Sequence, residues 1–239
     1  MTHSYGKMMG FVAAMLIGTG GVAQAWDFAF SPYGWGMNVD GEVGVGDVSA
    51  EVSADFKDLV DDLEWGVMLS LEAVNDNNTF VLLDAVHVSL SSRADIAGTI
   101  PAQVDLDETI VMAAIGKNLA ESPFSVYGGV RYADIEVEVA AGGPLGGVST
   151  DSDGIFDPVI GGRIALPFNE RAGLNISANI GGFGVGSDFS WEAVAYLYTG
   201  ITDSITGAVG YRTLSFDYSE DVDFDATMHG WLAGVTFAF

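Results

Sequence analysis

Apolar residues recur at every second position over most of this chain, in runs of roughly ten to fourteen residues. Leu174, Ile176, Ala178 and Ile180 alternate with Asn175, Ser177, Asn179 and Gly181. Trp65, Val67, Leu69, Leu71 and Ala73 alternate with Gly66, Met68, Ser70 and Glu72. Phe124, Val126, Gly128, Val130 and Tyr132 alternate with Ser125, Tyr127, Gly129 and Arg131. Period two places one set on each face of a strand, and helical periodicity is nearly absent. A soluble sandwich would turn the apolar face inward. Three features favour turning it outward, toward lipid. The opposite face is crowded with Gly, Ala, Ser and Asn, which suit a narrow lumen. The runs exceed the ~5–6 residues usual in soluble strands and match the ~9–11 of a tilted membrane strand. Aromatic residues (Tyr132, Trp191, Tyr196, Tyr198, Tyr211 and Trp231) gather near run ends, as in an interfacial girdle.

The links between runs alternate in length. Short turns fall at 75–78, 121–123, 169–171 and 202–204, and longer acidic, Gly-rich links at 93–107, 140–153, 184–189 and 217–225. One short rim and one long rim are the mark of an antiparallel up-and-down transmembrane β-barrel, all-β, with the short rim toward the periplasm. Ten strands are expected, near 26–38, 64–74, 79–92, 107–120, 124–139, 155–168, 172–183, 189–201, 205–216 and 226–239, with eight to twelve staying open. The segment 39–63 holds a candidate hairpin at 42–53. It also holds an amphipathic stretch, with Phe56, Leu59, Val60 and Leu63 on one helical face. This segment is an excursion on the long rim, a full hairpin making twelve strands, or a plug.

Composition narrows the function classes. The sequence has 33 acids against 8 bases, a net charge of −25, and no Cys. Such a chain repels nucleic-acid phosphate. It also lacks the thiols of a disulfide scaffold, zinc ribbon or lipoprotein anchor. Residues 1–25 read as a cleavable signal peptide: Lys7, an apolar core from Met8 to Ile17, then Ala23-Gln24-Ala25. Its removal takes away one base and no acid, leaving 214 residues (26–239) as one barrel domain with a formal charge of −26.

The chain ends Gly230-Trp231-Leu232-Ala233-Gly234-Val235-Thr236-Phe237-Ala238-Phe239. An amphipathic last strand with a terminal Phe resembles the insertion signal of bacterial outer-membrane barrels. The whole 26–239 region is similar to the small OmpA/OmpW-type barrels. Ser31-Pro32-Tyr33-Gly34-Trp35, Asp40 to Val45 and Asp84 to Leu90 also resemble a group of little-characterised small outer-membrane proteins. The resemblance implies an outer-membrane location. It implies that Trp231, Val235, Phe237 and Phe239 are read by the barrel-assembly machinery. Outer-membrane lipid and lipopolysaccharide are the implied surroundings, and a monomer is expected.

If the apolar faces point outward, alternation sends Glu72, Asp84, Arg131, Asp157, Arg163, Glu192 and Arg212 into the lumen. Charges enclosed there must pair. They either fill and order the lumen or line a polar path through it. No cofactor or metal site is expected. Asp151-Ser152-Asp153-Gly154 resembles a fragment of a calcium loop, but its Gly comes too early and the later Glu is missing. His87 and Ser89, two apart on one strand, resemble the His-x-Ser of lipid A deacylases, with Glu108 as a conceivable third member. His229 reads as a rim residue. The expected function is a structural barrel or a narrow passive channel for small solutes. The alternative is a loop-mediated binding or adhesion barrel, and a lipid hydrolase comes third.

Overall fold

In the computed structural model the alternating runs become strands: β1 (Trp26–Val45), β2 (Val48–Ala54), β3 (Leu63–Asn75), β4 (Thr79–Ile96), β5 (Ile100–Asn118), β6 (Phe124–Ala141), β7 (Gly147–Asp151), β8 (Ile155–Pro167), β9 (Ala172–Gly182), β10 (Phe189–Gly200), β11 (Ile205–Ser219) and β12 (Asp223–Ala238). The structure describes residues 26–45, 48–54, 63–96, 100–141, 147–151, 154–219 and 223–239. The signal peptide at 1–25 and most of the amphipathic stretch, including Phe56, Leu59 and Val60, lie outside them.

Every pairing is antiparallel, and β12 pairs with β1, so the sheet closes on itself. Closure removes the free edges that lipid cannot satisfy. Ten strands form the wall. β2 pairs only with the outer half of β1, and β7 only with the outer half of β6, so each lengthens a hairpin without adding a stave. Residues 42–45 and 48–53 are thus paired strands of an excursion on the long rim.

The short turns are shaped by side chains that take over backbone donors. Asn75 Oδ1 accepts from the N–H groups of Asn77 and Thr79, both at 3.0 Å. Asn169 Oδ1 accepts from Arg171 and Ala172, both at 2.8 Å. Ser122 and Thr202 hydroxyls do the same at the other two turns. The opposite rim is uneven. Between β9 and β10 it drops to the short link 183–188, while β4, β5 and β6 rise well above it.

The outer surface is apolar. Val67, Ile115, Val126, Val130, Ile160, Ile176, Ile180, Leu197 and Val209 are all exposed. Phe28, Phe124, Phe168, Phe237 and Phe239 ring the turn side, and Trp65, Phe156, Tyr211 and Trp231 ring the other. The spacing from Trp231 to Phe239 corresponds to roughly 20 Å of height, and that from Phe156 to Phe168 to roughly 30 Å, at ~3.3 Å rise and ~40° tilt. These bracket the ~25 Å apolar band of an outer-membrane barrel. Two expected girdle residues belong elsewhere. Tyr196 and Tyr198 share a face with Glu192 and point into the lumen, because residues two apart on a strand cannot face opposite ways.

The interior is less polar than alternation implies. Trp35, Met37, Val86, Val88, Ile110, Ala133, Leu214, Phe216 and Met228 form one buried apolar cluster toward the long rim. Phe80, Ala114 and Tyr127 form a second near the turns.

Candidate functional site: the buried charge layer

All seven charged residues assigned to the lumen by alternation sit inside the barrel, between the two apolar clusters. They form two separate ion-paired groups and one hydrogen-bonded carboxylate.

The group nearest the turns is Arg163 on β8 and Glu72 on β3. Their contact is bidentate, at 2.6 and 3.1 Å, and spans the lumen. The Arg163 guanidinium lies 4.6 Å from the centroid of the Phe80 ring. This pair keeps some water access, with side-chain exposures of 17% and 25%.

The second group occupies mid-height, with Glu192 on β10 at its centre. Its Oε1 accepts from Arg212 Nη2 at 2.7 Å. Its Oε2 accepts from Arg131 Nη2 at 2.9 Å and from Asn179 Nδ2 at 2.8 Å. Arg212 also donates to Asp84 at 2.9 Å and to the Tyr33 hydroxyl at 2.7 Å. Tyr33 in turn donates to Asp84. Arg131 donates to Asn179 Oδ1 and more weakly to Ser190. Each arginine rests on a ring of the apolar cluster above, Arg131 on Phe216 and Arg212 on Trp35. A guanidinium held by a carboxylate on one side and a π-face on the other is compensated for its lost water.

Arg131, Arg212 and Glu192 are 1%, 4% and 3% exposed. Asp84, at the edge of this layer, keeps a side-chain exposure of 15%.

Asp157 faces Arg131 across β8 and β6, yet its oxygens go elsewhere. They accept from the Ser187 backbone N–H at 2.7 Å and from the Ser187 and Ser190 hydroxyls, each at 2.6 Å. Asp157 therefore draws the 183–188 link down over the barrel mouth, where Ser187 is fully buried. Gly186 permits the approach, since a Cβ there would lie 2.5 Å from the Phe156 carbonyl oxygen.

Tyr33, Asn179, Ser187 and Ser190 belong to the site without having been singled out. Asn179 carried a readable signal, the parity it shares with Asn175 on the lumen face of β9. Ser187 carried none, because a loop has no period.

The His-x-Ser reading does not assemble. His87 lies on the outer face, its ring tilted against Trp65 with centroids 4.3 Å apart, and is hydrogen-bonded to Thr109. Ser89 shares its parity. Glu108 shares a face with Ile110 and Met112 and is buried inside, so the wall separates it from His87. His229 is more than a rim residue. Its Nε2 contacts Asp40 Oδ2 at 2.9 Å across the β12–β1 closure, and its Nδ1 contacts the Tyr211 hydroxyl of β11 at 2.7 Å. Residues 152–153 of the calcium-loop fragment lie outside the described residues. Among those described, no group of three or more His, Cys, Asp or Glu is placed to hold a metal. Trp231, Phe237 and Phe239 are exposed on the outer face at the end of the chain, and Val235 shares their parity.

The architecture is shared with solved bacterial outer-membrane barrels. The chain is similar to the translocator domain of the autotransporter NalP from Neisseria meningitidis, with a TM-score of 0.51, 14% identity, and coverage of 98% of this chain and 94% of that one. It is also similar to the outer membrane protease OmpT from Escherichia coli, with a TM-score of 0.55, 10% identity, and coverage of 92% and 99%. At these identities the likeness is one of fold. No protein-family model matches the chain, and no curated protein matches it.

Proposed function

We propose that this outer-membrane barrel is a sealed, non-conducting scaffold that holds an acidic loop crown outside the membrane for binding. The observation that supports this reading is the burial of the charges at mid-height. The ion-paired layer around Glu192 is buried, an apolar cluster lies over it, and the 183–188 link is pinned above Asp157. A solute would have to break charge pairs in a dry interior, at several kcal/mol each.

The crown supports the second half. The strand register puts Glu42, Asp225 and Asp217 in one row across β1, β12 and β11. It puts Asp107, Glu136 and Asp151 in another across β5, β6 and β7. A rim of one sign attracts cations and repels anions. It suits contact with lipopolysaccharide through bridging divalent ions, or with a basic partner. During biogenesis the last strand, with Trp231, Val235, Phe237 and Phe239, is the segment offered to the assembly machinery, and the folded barrel is a monomer.

The second reading is a narrow passive channel for small solutes. The partly hydrated Glu72–Arg163 pair favours it, as a polar vestibule entered from the turn side. Planar-bilayer recording of folded protein separates the two. The scaffold predicts silence. Discrete ion-selective current that changes in Arg131→Ala, Arg163→Ala or Arg212→Ala would overturn it in favour of the channel.

A further inference from the structure

The lumen changes character below the mid-height layer. Above that layer Trp35, Val88 and Leu214 face inward and are 4%, 5% and 0% exposed. Toward the turns several inward side chains keep accessible surface. Glu72 and Arg163, whose contact spans the lumen, retain side-chain exposures of 25% and 17%. Tyr196 and Tyr198 also face inward, yet both are only half-buried. A side chain that faces into a closed barrel and still meets solvent borders a space inside it. With the layer above buried, that space opens toward the short turns, the periplasmic rim of such barrels.

Rings line this space instead of filling it. Phe80, Tyr127 and Tyr198 stand directly opposite Gly116, Gly161 and Gly173 on the neighbouring strands. A Cβ added at any of the three glycines would collide with the facing side chain. The glycines therefore let the three rings lie back against the wall. Beyond Tyr198 the same row continues with Ala208 and Gly234, which leave the space before the ring clear. Tyr196 is electrostatically coupled to Arg163, Glu72 and Tyr198, so these four form one neighbourhood. Register sets Asn175 between Ala165 and Tyr196. Asn175 is 8% exposed, and its amide oxygen has no hydrogen-bond partner. A buried acceptor in that state is costly until a donor reaches it.

The charges of this neighbourhood balance. Glu72 uses both oxygens and Arg163 both terminal nitrogens in their mutual contact. An ionic ligand would have to break that bidentate pair. A neutral one would not, because a carboxylate has about four acceptor sites and a guanidinium about five N–H donors, so both partners keep bonding capacity. Tyr rings add flat apolar faces with a polar tip. The complement is an uncharged molecule with adjacent hydroxyls, which donate and accept side by side, and a C–H face. We infer that the turn-side lumen is a binding site for a neutral sugar, entered from the periplasm. Neighbouring hydroxyls bridge the free edges of the Glu72–Arg163 pair, another donates to Asn175, and the C–H face of the sugar ring lies on Tyr198. The inference rests on the half-exposed Glu72–Arg163 pair and not on whether the axis conducts, since the buried layer serves equally as the floor of a closed pocket.

The test is saturation-transfer NMR on the full barrel in lipid nanodiscs, which leave both rims open to solution and avoid sugar-headed detergents. The probes are maltose, lactose and diacetylchitobiose. Lactobionate and chitobiose serve as the anionic and cationic counterparts of the last two. The expected result is dose-dependent transfer to at least one neutral disaccharide, with its charged counterpart at least ~5-fold weaker. Asn175→Ala is expected to weaken binding about 3–10-fold, the loss of one hydrogen bond. Ala208→Phe, which fills the space before Tyr198, is expected to abolish it. Arg171→Ala, on an exposed turn, should leave it unchanged. Migration on unboiled gels shows that each variant is folded, and if Ala208→Phe does not fold, Asn175→Ala decides alone. Absence of transfer to all the neutral probes from folded barrel, tighter binding of a charged counterpart, or binding that Asn175→Ala leaves unchanged overturns the sugar site. Planar-bilayer current reports on the axis separately, so failure of the site and failure of the scaffold reading are distinct results.

Discussion

Replacing Glu192 by Gln tests whether the mid-height layer holds the barrel together as its geometry requires. The two carboxylate oxygens of Glu192 have different clients. Oε1 serves Arg212, and Oε2 serves Arg131 and Asn179. Gln has one oxygen, so in either flip its NH2 group faces a donor. The less damaging flip keeps the Arg131 and Asn179 bonds and turns the amide nitrogen toward Arg212. Arg212 would keep Asp84 and Tyr33 as acceptors. One buried guanidinium bond is then lost, and the layer gains an uncompensated positive charge. Removing one partner from a buried, hydrogen-bonded ion pair costs ~3–5 kcal/mol. Because Arg212 retains Asp84, the lower end, about 3 kcal/mol, is expected, a roughly 100-fold drop in the folded-to-unfolded ratio. The assay is equilibrium urea unfolding in lipid vesicles, followed by tryptophan fluorescence. Arg171→Ala is the control, because its contact with Asp203 is long, at 3.4 Å, and solvent-exposed, and should leave the midpoint where it is. A second check is the cycle with Arg212→Met, in which the double variant should be less destabilised than the two singles predict. A loss below ~1 kcal/mol in Glu192→Gln, or strict additivity in the cycle, would refute the claim that these charges act as one unit.

Three further outcomes are expected. Arg163→Met should destabilise less than Glu192→Gln, by about 1–3 kcal/mol in the same urea titration, because the Glu72 it leaves behind is partly hydrated. Asp157→Asn should free the 183–188 link from its anchor at Ser187, and limited proteolysis of vesicle-inserted protein should then cut within 183–188 several times faster, with the barrel body intact. Phe239→Ala should slow assembly in cells while leaving the finished barrel nearly as stable, since the side chain stacks on Phe28 at a centroid distance of 6.2 Å and the two backbone bonds between Phe239 and Phe28 are kept. The readout is the heat-modifiable fraction on unboiled gels over time.

The alternation of β3, β6 and β11 was enough to place Glu72, Arg131 and Arg212, because near those residues the opposite face is apolar. It failed where both faces are apolar. In β4, Phe80, Val81, Leu82 and Leu83 follow one another, so no period marks Phe80, Val86 and Val88 as interior. The clusters that close the lumen were therefore hidden, although the charges they enclose were not. Parity was also available and unused for Tyr196, where an aromatic near a run end was assigned to a girdle. Contacts made through closure were out of reach for a different reason. Asp40 and His229 meet only because the first and last strands pair, and alternation fixes faces without fixing the stagger between strands.

These two kinds of blindness bear on function in opposite ways. A lumen lined by three Arg and four acids looks, from sequence, like a pore wall. The same residues in the fold are largely spent on one another, and their neighbours above are Trp35, Leu214 and Phe216. What decides between pore and scaffold is thus the layer over the charges, not the charges themselves. That layer comes from β1, β4, β5, β6, β11 and β12, while on the low side, at β8–β10, the link tied to Asp157 lies over the charges.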